Sequence, residues 1–273
     1  MKPKIIRLKK PLERRVKCMS DIKKVILFVV EGMSDKDALE PIVSELIDTS
    51  LVRFEVLRCD ATASIYEPYY RKTMKDRIKI IVDNYLENNR GIQKKYIEKI
   101  IYITDTDGCF IDNKYIYFSG NDKEFRYEDD GIYTNNVEGA KQRNEFKSRN
   151  LNILNSASRI YNLQIETYFF SCNLDHVLYN IRNLKQESKE KHAIAFAEQY
   201  EGKEQEFIKF LSEEDIPMGE GYRESWTQIR ESLNSLLRHS NFHIFFRNNI
   251  EYLVADIKRT PPSSGDTGKM TII

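Results

Sequence analysis

Two uninterrupted apolar runs, each closed by carboxylates, constrain this chain most. The first, Val25-Ile26-Leu27-Phe28-Val29-Val30, is followed by Glu31-Gly32-Met33-Ser34-Asp35. The second, Ile100-Ile101-Tyr102-Ile103-Thr104, is followed by Asp105-Thr106-Asp107-Gly108. A strand that is apolar at every position, rather than at every second one, must be covered on both faces, which is the habit of parallel strands in α/β folds. Open α/β sheets bind ligands at the carboxyl ends of their strands, and both acidic segments fall there. Carboxylates converging at that point would make a hard-oxygen site for a divalent cation.

The segments between and after these runs extend the pattern. Ala38, Leu39, Ile42, Val43, Leu46 and Ile47 recur at helical spacing, with Ser34 expected as N-cap and Asp37 as its capping-box partner. Residues 53–59 read as a strand, 71–88 as a helix and 99–104 as a third strand. This β-α-β-α-β order predicts an α/β fold, a mainly parallel Rossmann-like sheet flanked by helices. Residues 109–136, rich in Tyr, Asp, Asn and Gly, break the rhythm, with short strand-like pieces at 115–118 and 131–134. A polar helix is expected over 138–160, so an insertion spans about 109–160. Residues 165–170 form a further apolar strand ending in Ser171-Cys172-Asn173, and a helix carrying Leu174, Val177, Leu178 and Ile181 follows. Beyond 183 the periodicity is helical at 187–200, 203–213, 223–238 and 247–257, before a tail over 260–273 whose Pro261-Pro262-Ser263-Ser264-Gly265 predicts flexibility. The expected organisation is a basic N-terminal arm (1–20), a catalytic domain (21–182) and a helical C-terminal region (183–273).

Composition narrows the class. A net charge of +1 over 273 residues makes the chain as a whole no magnet for nucleic acid, so any such binding needs local patches. The arm is one, with Lys2, Lys4, Arg7, Lys9, Lys10, Arg14, Arg15 and Lys17 against Glu13; it reads either as a solvated segment or as a contact for phosphates. Cys18, Cys59, Cys109 and Cys172 are scattered and form no CxxC pair, which argues against structural zinc and for a reducing cytoplasm. No apolar run approaches the ~20 residues that span a bilayer, so no membrane association is expected.

The chemistry follows from the acids. In an extended segment Asp105 and Asp107 would point the same way. Unpaired, they would repel and raise one pKa, a conflict that a divalent ion removes. Glu31 could act as metal ligand or general base. Asp35 could join the metal shell or merely complement the helix dipole. Asn173 or Asp175 could complete the shell and His176 could shuttle protons, against the plainer reading in which Ser171 or Asn173 caps the helix. Lys141, Arg143, Lys147 and Arg149 could contact nucleic-acid phosphates or form a solvated helix face. His239 and His243, four apart, read as a helical surface pair rather than a metal site.

Taken together, Glu31-Gly32, Asp35 and Asp105-Thr106-Asp107-Gly108 resemble the signature of the TOPRIM domain, a glutamate after the first strand and a DxD pair after the third. The fold is shared by topoisomerases, bacterial primases, recombination mediators, ribosomal-RNA maturases and nucleases of the overcoming-lysogenization-defect type. The resemblance covers roughly residues 24–180. It implies a Mg2+- or Mn2+-dependent endonuclease acting on DNA or RNA, with Glu31, Asp105 and Asp107 as catalytic residues and metal ligands and Asp35 at an acidic position common in the nuclease and maturase members. It is similar to stand-alone nucleases of bacterial anti-phage defence. Such nucleases often work with an ATPase, and because the chain has no GxxxxGK[ST] motif that partner would be a separate protein; a homo-oligomer is left open.

Two other classes compete. Asp105-Thr106-Asp107-Gly108-Cys109-Phe110-Ile111-Asp112 also resembles the first motif of haloacid-dehalogenase-type phosphatases, with Asp105 as nucleophile and Asp107 as acid/base. That reading leaves Glu31 to Asp35 without a role, and Cys109 replaces the usual Thr. A non-catalytic regulatory subunit, its acids holding a structural cation, is the third.

Overall fold

The computed structural model describes residues 23–58, 61–64, 66, 68–213 and 215–259. The arm expected at 1–20, the tail expected at 260–273, Cys18 and Cys59 lie outside the described residues. Strand β1 (Lys24–Val30) leads into helix α1 (Met33–Leu46), β2 (Val52–Arg58), α2 (Met74–Asn88) and β3 (Ile97–Asp105). The insertion follows as β4 (Ile116–Phe118), β5 (Arg126–Glu128), β6 (Gly131–Thr134) and the long helix α3 (Val137–Ser156). Then β7 (Arg159–Ile160) and β8 (Leu163–Phe170) return the chain to the main sheet. The described residues end with α4 (Leu174–Tyr179), α5 (Gln186–Tyr200), α6 (Glu204–Phe210), α7 (Tyr222–Gln228), α8 (His243–Asn248) and α9 (Ala255–Arg259).

The main sheet has the order β2-β1-β3-β8-β7. The first four strands are parallel to their neighbours and β7 is antiparallel to β8. The fold is therefore α/β, a mostly parallel mixed sheet of the Rossmann-like kind. Its strands feed two cores. Ile26, Phe28, Val30, Ile101, Ile103, Tyr168 and Phe170 meet α1, α5, α6 and α8 on one face. Val25, Leu27, Val29, Ile100, Tyr102, Ile165 and Phe169 meet α2 and α3 on the other. At ~1.5–3 kcal/mol per fully buried large side chain, these layers fix the strand ends where the acids stand. The insertion makes its own small sheet, β4-β6-β5, on a third cluster around Ile116, Tyr127, Ile132 and Leu236.

Beyond β7, among the described residues, no strand pairs with the edge of β8; the C-terminal region covers it with side chains and, at Ser171, with backbone. Thr167 N–H donates to the Tyr222 hydroxyl (2.9 Å), and Trp226 Nε1 donates to Thr167 O (3.1 Å). Phe169 N–H donates to Asn241 Oδ1, and Ser240 Oγ donates to Phe169 O, both at 2.8 Å. Ser171 N–H then donates to His239 O at 2.7 Å. An open strand edge invites pairing with another chain; here alternate residues of β8 are satisfied one by one.

Several elements differ from expectation. Helix α1 starts at Met33 with Gly32 as N-cap, and Asp35, not Ser34 with Asp37, closes the capping box by accepting Gly32 N–H at 2.7 Å. The helix expected over 223–238 stops at Gln228. Its continuation is drawn off by tertiary bonds, because Ser235 O accepts from Thr106 Oγ1 (2.8 Å) and Cys172 N–H (3.0 Å). The helix expected over 247–257 is split at buried Asn249, whose amide caps Phe245 O and also binds Glu166 and Lys99. His239 lies outside any helix and His243 opens α8, and each keeps a buried Nδ1 without a hydrogen bond; the surface pair expected from their spacing does not form.

Candidate active site

Glu31 leaves β1 one residue past its last paired position, and two threonines hold its carboxylate. Oε1 accepts from Thr104 Oγ1 at 2.5 Å and from Thr62 Oγ1 at 2.7 Å. Thr104 is the penultimate residue of β3. Thr62 belongs to a loop that fully buried Arg77 pins through Ala61 O, Ser64 O and Tyr69 O. Asn150 Nδ2 holds Thr62 O at 2.8 Å, and Ala61 N–H donates to the Tyr102 hydroxyl at 3.2 Å. A glutamate whose oxygen faces two fixed donors keeps one rotamer, which a catalytic or metal-binding carboxylate requires.

Asp105 and Asp107 do not form the extended pair expected of them. Asp105 ends β3, and its Oδ1 accepts Leu174 N–H from the start of α4 at 2.8 Å. The chain then turns: Thr106 N–H donates to Phe170 O (3.0 Å), Asp107 N–H to Cys172 O (2.7 Å), and Asp107 has φ +50°. Aspartate is among the few side chains that tolerate this left-handed region. Gly108 follows at φ +65°, where an added Cβ would stand 2.5 Å from Leu236 Cδ2.

Lys147 joins the two acidic segments. Its ammonium lies 3.0 Å from Glu31 Oε2 and 2.5 Å from Asp107 Oδ2, and its side chain has no exposed surface. On α3 it occupies the buried stripe of Ala140, Asn144, Leu151 and Leu154. The sequence reading offered Lys147 to nucleic-acid phosphates; its burial turns it inward as counter-ion to the acids. Arg143, half-buried one turn earlier, donates to Asp107 O (2.9 Å) and to the Tyr127 hydroxyl (2.7 Å), which stands 3.4 Å from Asp107 Oδ1. Of the four cations expected on this helix, Lys141 pairs with Glu138 at 2.6 Å and Arg149 is exposed.

These contacts set the protonation pattern. Burial raises the Asp105 carboxyl well above the usual carboxylate range, and the charges of Asp35, Glu31 and Asp107 push it further, with Lys147 opposing. Asp107 is pushed up by burial too, but Lys147 and Arg143 outweigh this and leave it below its ordinary value. Asp35 is raised by burial, against the pull of the Gly32 N–H. The acidic centre thus contains carboxyls shifted in opposite directions, Asp105 and Asp35 upward and Asp107 downward.

The residues beyond β8 divide. Asp175 is buried beside Asp35, paired with Lys189 of α5 at 2.6 Å, and its Oδ1 has no hydrogen bond. Asn173 caps α4, accepting His176 N–H at 2.8 Å, while its Nδ2 binds Arg182 O. His176 is buried and its pKa falls to about 4 through desolvation and the nearby Arg182 and Arg238. It stays neutral at physiological pH, which does not suit the proton shuttle anticipated for it.

Among the described residues, no group of three or more His, Cys, Asp and Glu stands in a geometry that could hold a metal ion. The donor set still fits a hard divalent cation by its chemistry. Carboxylates predominate, burial raises the thiols of Cys109 and Cys172 so that they stay protonated, and burial followed by the neighbouring carboxylates raises Asp105, a shift that a divalent cation would oppose. Lys147 supplies positive charge where such a cation would act. Thr62, Thr104, Tyr127 and Lys189 were not singled out by the sequence; Lys147 reads there as a phosphate contact or part of a solvated face, although its spacing from Ala140, Leu151 and Leu154 carried the signal of an inward position. Among the described residues no helix is long and apolar enough to cross a membrane. Comparison with protein-family models, curated proteins and solved structures returns no match.

Proposed function

We propose that this chain is a metal-dependent phosphodiester hydrolase of the TOPRIM type that cuts DNA or RNA. The observation that carries the reading is the Lys147 ammonium, 3.0 Å from Glu31 and 2.5 Å from Asp107. It brings the acidic ends of two strands, some seventy-five residues apart in the chain, to one point. Glu31, Asp105 and Asp107 would hold Mg2+ or Mn2+, with Asp35 behind them. The ion, when bound, would activate water and stabilise the leaving oxygen of a phosphodiester.

The chain's own groups have separable tasks. Thr62 and Thr104 aim Glu31. Lys147 keeps Asp107 ionised and holds it against Glu31. Arg143, with its guanidinium on the Asp107 carbonyl, stiffens the turn that carries the carboxylate. Asp105, the carboxyl most crowded by like charge, gains most from a divalent ion. The phosphatase reading leaves Glu31 and its two threonine donors without a role. The resemblance extends the proposal to a bacterial defence effector working with a separately encoded ATPase.

The test is hydrolysis of plasmid DNA and of RNA by the purified protein with Mg2+ or Mn2+, beside Glu31→Gln and Asp105→Asn. Both variants should retain the fold by circular dichroism and lose cleavage. Undiminished cleavage by either removes the site; release of phosphate from p-nitrophenyl phosphate without strand cleavage would favour the phosphatase class.

A further inference from the structure

On the far side of α1 from the sheet, α1 and α5 leave a groove of about 670 Å³. The two helices run the same way: Lys189 near the start of α5 pairs with Asp175 beside Asp35, and Glu201, just past the end of α5, acts on Glu45 in the last turn of α1. Pro41, Ile42, Ile194 and Ala197 give the groove its apolar surface, and Ile194 is 46% exposed. Its carboxylates are Asp37, Glu40, Glu45, Glu190, Glu198 and Glu201, of which Glu40 pairs with Lys36 at 3.7 Å from outside the groove, and among the described residues no Lys or Arg lines it. The crowding is felt at Glu45, whose carboxyl is raised by a hydrogen bond with Glu204, by burial, and by the charges of Glu204 and Glu201. Six acids around an apolar strip, with no cation among the lining residues, call for a basic amphipathic occupant.

We propose that this groove is the docking site of the chain's own segment 1–22. That segment holds eight Lys and Arg against Glu13 and Asp21, and Ile5, Leu8, Leu12, Val16 and Met19 recur every three or four residues. Its charge and its apolar spacing both complement the groove. The point of entry fits as well. The described chain begins at Lys23, whose ammonium binds Thr49 O at 2.5 Å, three residues past the end of α1 and four past Glu45. From there, 22 residues reach roughly 33 Å if helical and further if extended, enough to follow the ~22 Å length of α5. Held there, the basic segment is committed to protein carboxylates, which separates it from the nucleic-acid contact that its charge alone suggests.

The experiment is carbodiimide cross-linking of the full chain, mapped by mass spectrometry on an equal mixture of 15N-labelled and unlabelled protein. The proposal expects links within single chains between Lys4, Lys9, Lys10 or Lys17 and Glu45, Glu190, Glu198 or Glu201. They should be lost at ~1 M salt, where the Debye length is ~3 Å. They should also be lost in Glu190→Lys/Glu198→Lys, two exposed positions of α5 at which the melting temperature should not change. Links between labelled and unlabelled chains would assign the groove to a second copy and overturn the proposal. So would an absence of links, links of these lysines only to other carboxylates, or links that persist in the charge-reversed variant.

Discussion

Replacing Lys147 with Met tests whether the buried ammonium organises the acidic centre. Methionine keeps most of the stem's packing on α3 and removes the charge. The two contacts, 3.0 Å to Glu31 and 2.5 Å to Asp107, each represent a gross attraction of about 6 kcal/mol at an effective dielectric of ~20. Desolvating the ions offsets much of that, but removing one member of a buried ion pair still costs ~3–5 kcal/mol, because its partners are left uncompensated. The side chains of Glu31 and Asp107 are only 11% and 22% exposed, so water replaces little of the loss. In a domain of this size the expected fall in melting temperature is about 10 °C, read by calorimetry in metal-free buffer. Glu31→Gln should be less costly in the Lys147→Met background than in the wild type, by ~1–3 kcal/mol of coupling. A loss below about 1 kcal/mol, or additive effects of the two substitutions, would refute the bridging role.

Asp105→Asn should stabilise the metal-free protein, increasingly as pH rises. The Asp105 pKa is raised on folding, so the stability tied to its proton is fully present below the unfolded value near 3.8 and is lost as pH rises through the folded value. Denaturant melts from pH 4 to 8 should slope more steeply for wild type than for the variant, and parallel slopes would contradict this. Gly108→Ala should cost more than ~1 kcal/mol, from its positive φ and the collision with Leu236; adding Leu236→Ala should recover only the steric share in the same melts. Asn241→Ala should cost ~1–3 kcal/mol by orphaning the buried Phe169 N–H, and amide hydrogen exchange at Phe169 should quicken.

The sheet was legible because its two central strands, β1 and β3, carry uninterrupted apolar runs at 25–30 and 100–103, a pattern that leaves no solvent face and points to parallel pairing. The acids at its carboxyl edge were legible for the same reason: Glu31 and Asp105 are the first charges after such runs. What escaped depends on the folded chain. Asp107 reaches the site through a left-handed turn, not through strand alternation. The β8 edge is satisfied by Tyr222, Trp226, Ser240 and Asn241, side chains more than fifty residues later, and no local pattern announces such bonds. The helix expected over 223–238 yields where the backbone of Ser235 is claimed by Thr106 and Cys172. Lys147 looked like one member of a basic helix face, yet its place in the stripe of Ala140, Leu151 and Leu154 marked it as inward.

The most direct test of the acidic centre is an anomalous-difference map from crystals of the protein soaked in Mn2+. The account predicts a peak bounded by carboxylate oxygens of Glu31, Asp105 and Asp107, with the Lys147 ammonium moved off at least one of its two partners, and no peak in Asp105→Asn. A metal bound elsewhere in a protein that still cleaves nucleic acid, or Lys147 unmoved between Glu31 and Asp107 in an active, metal-loaded crystal, would contradict it.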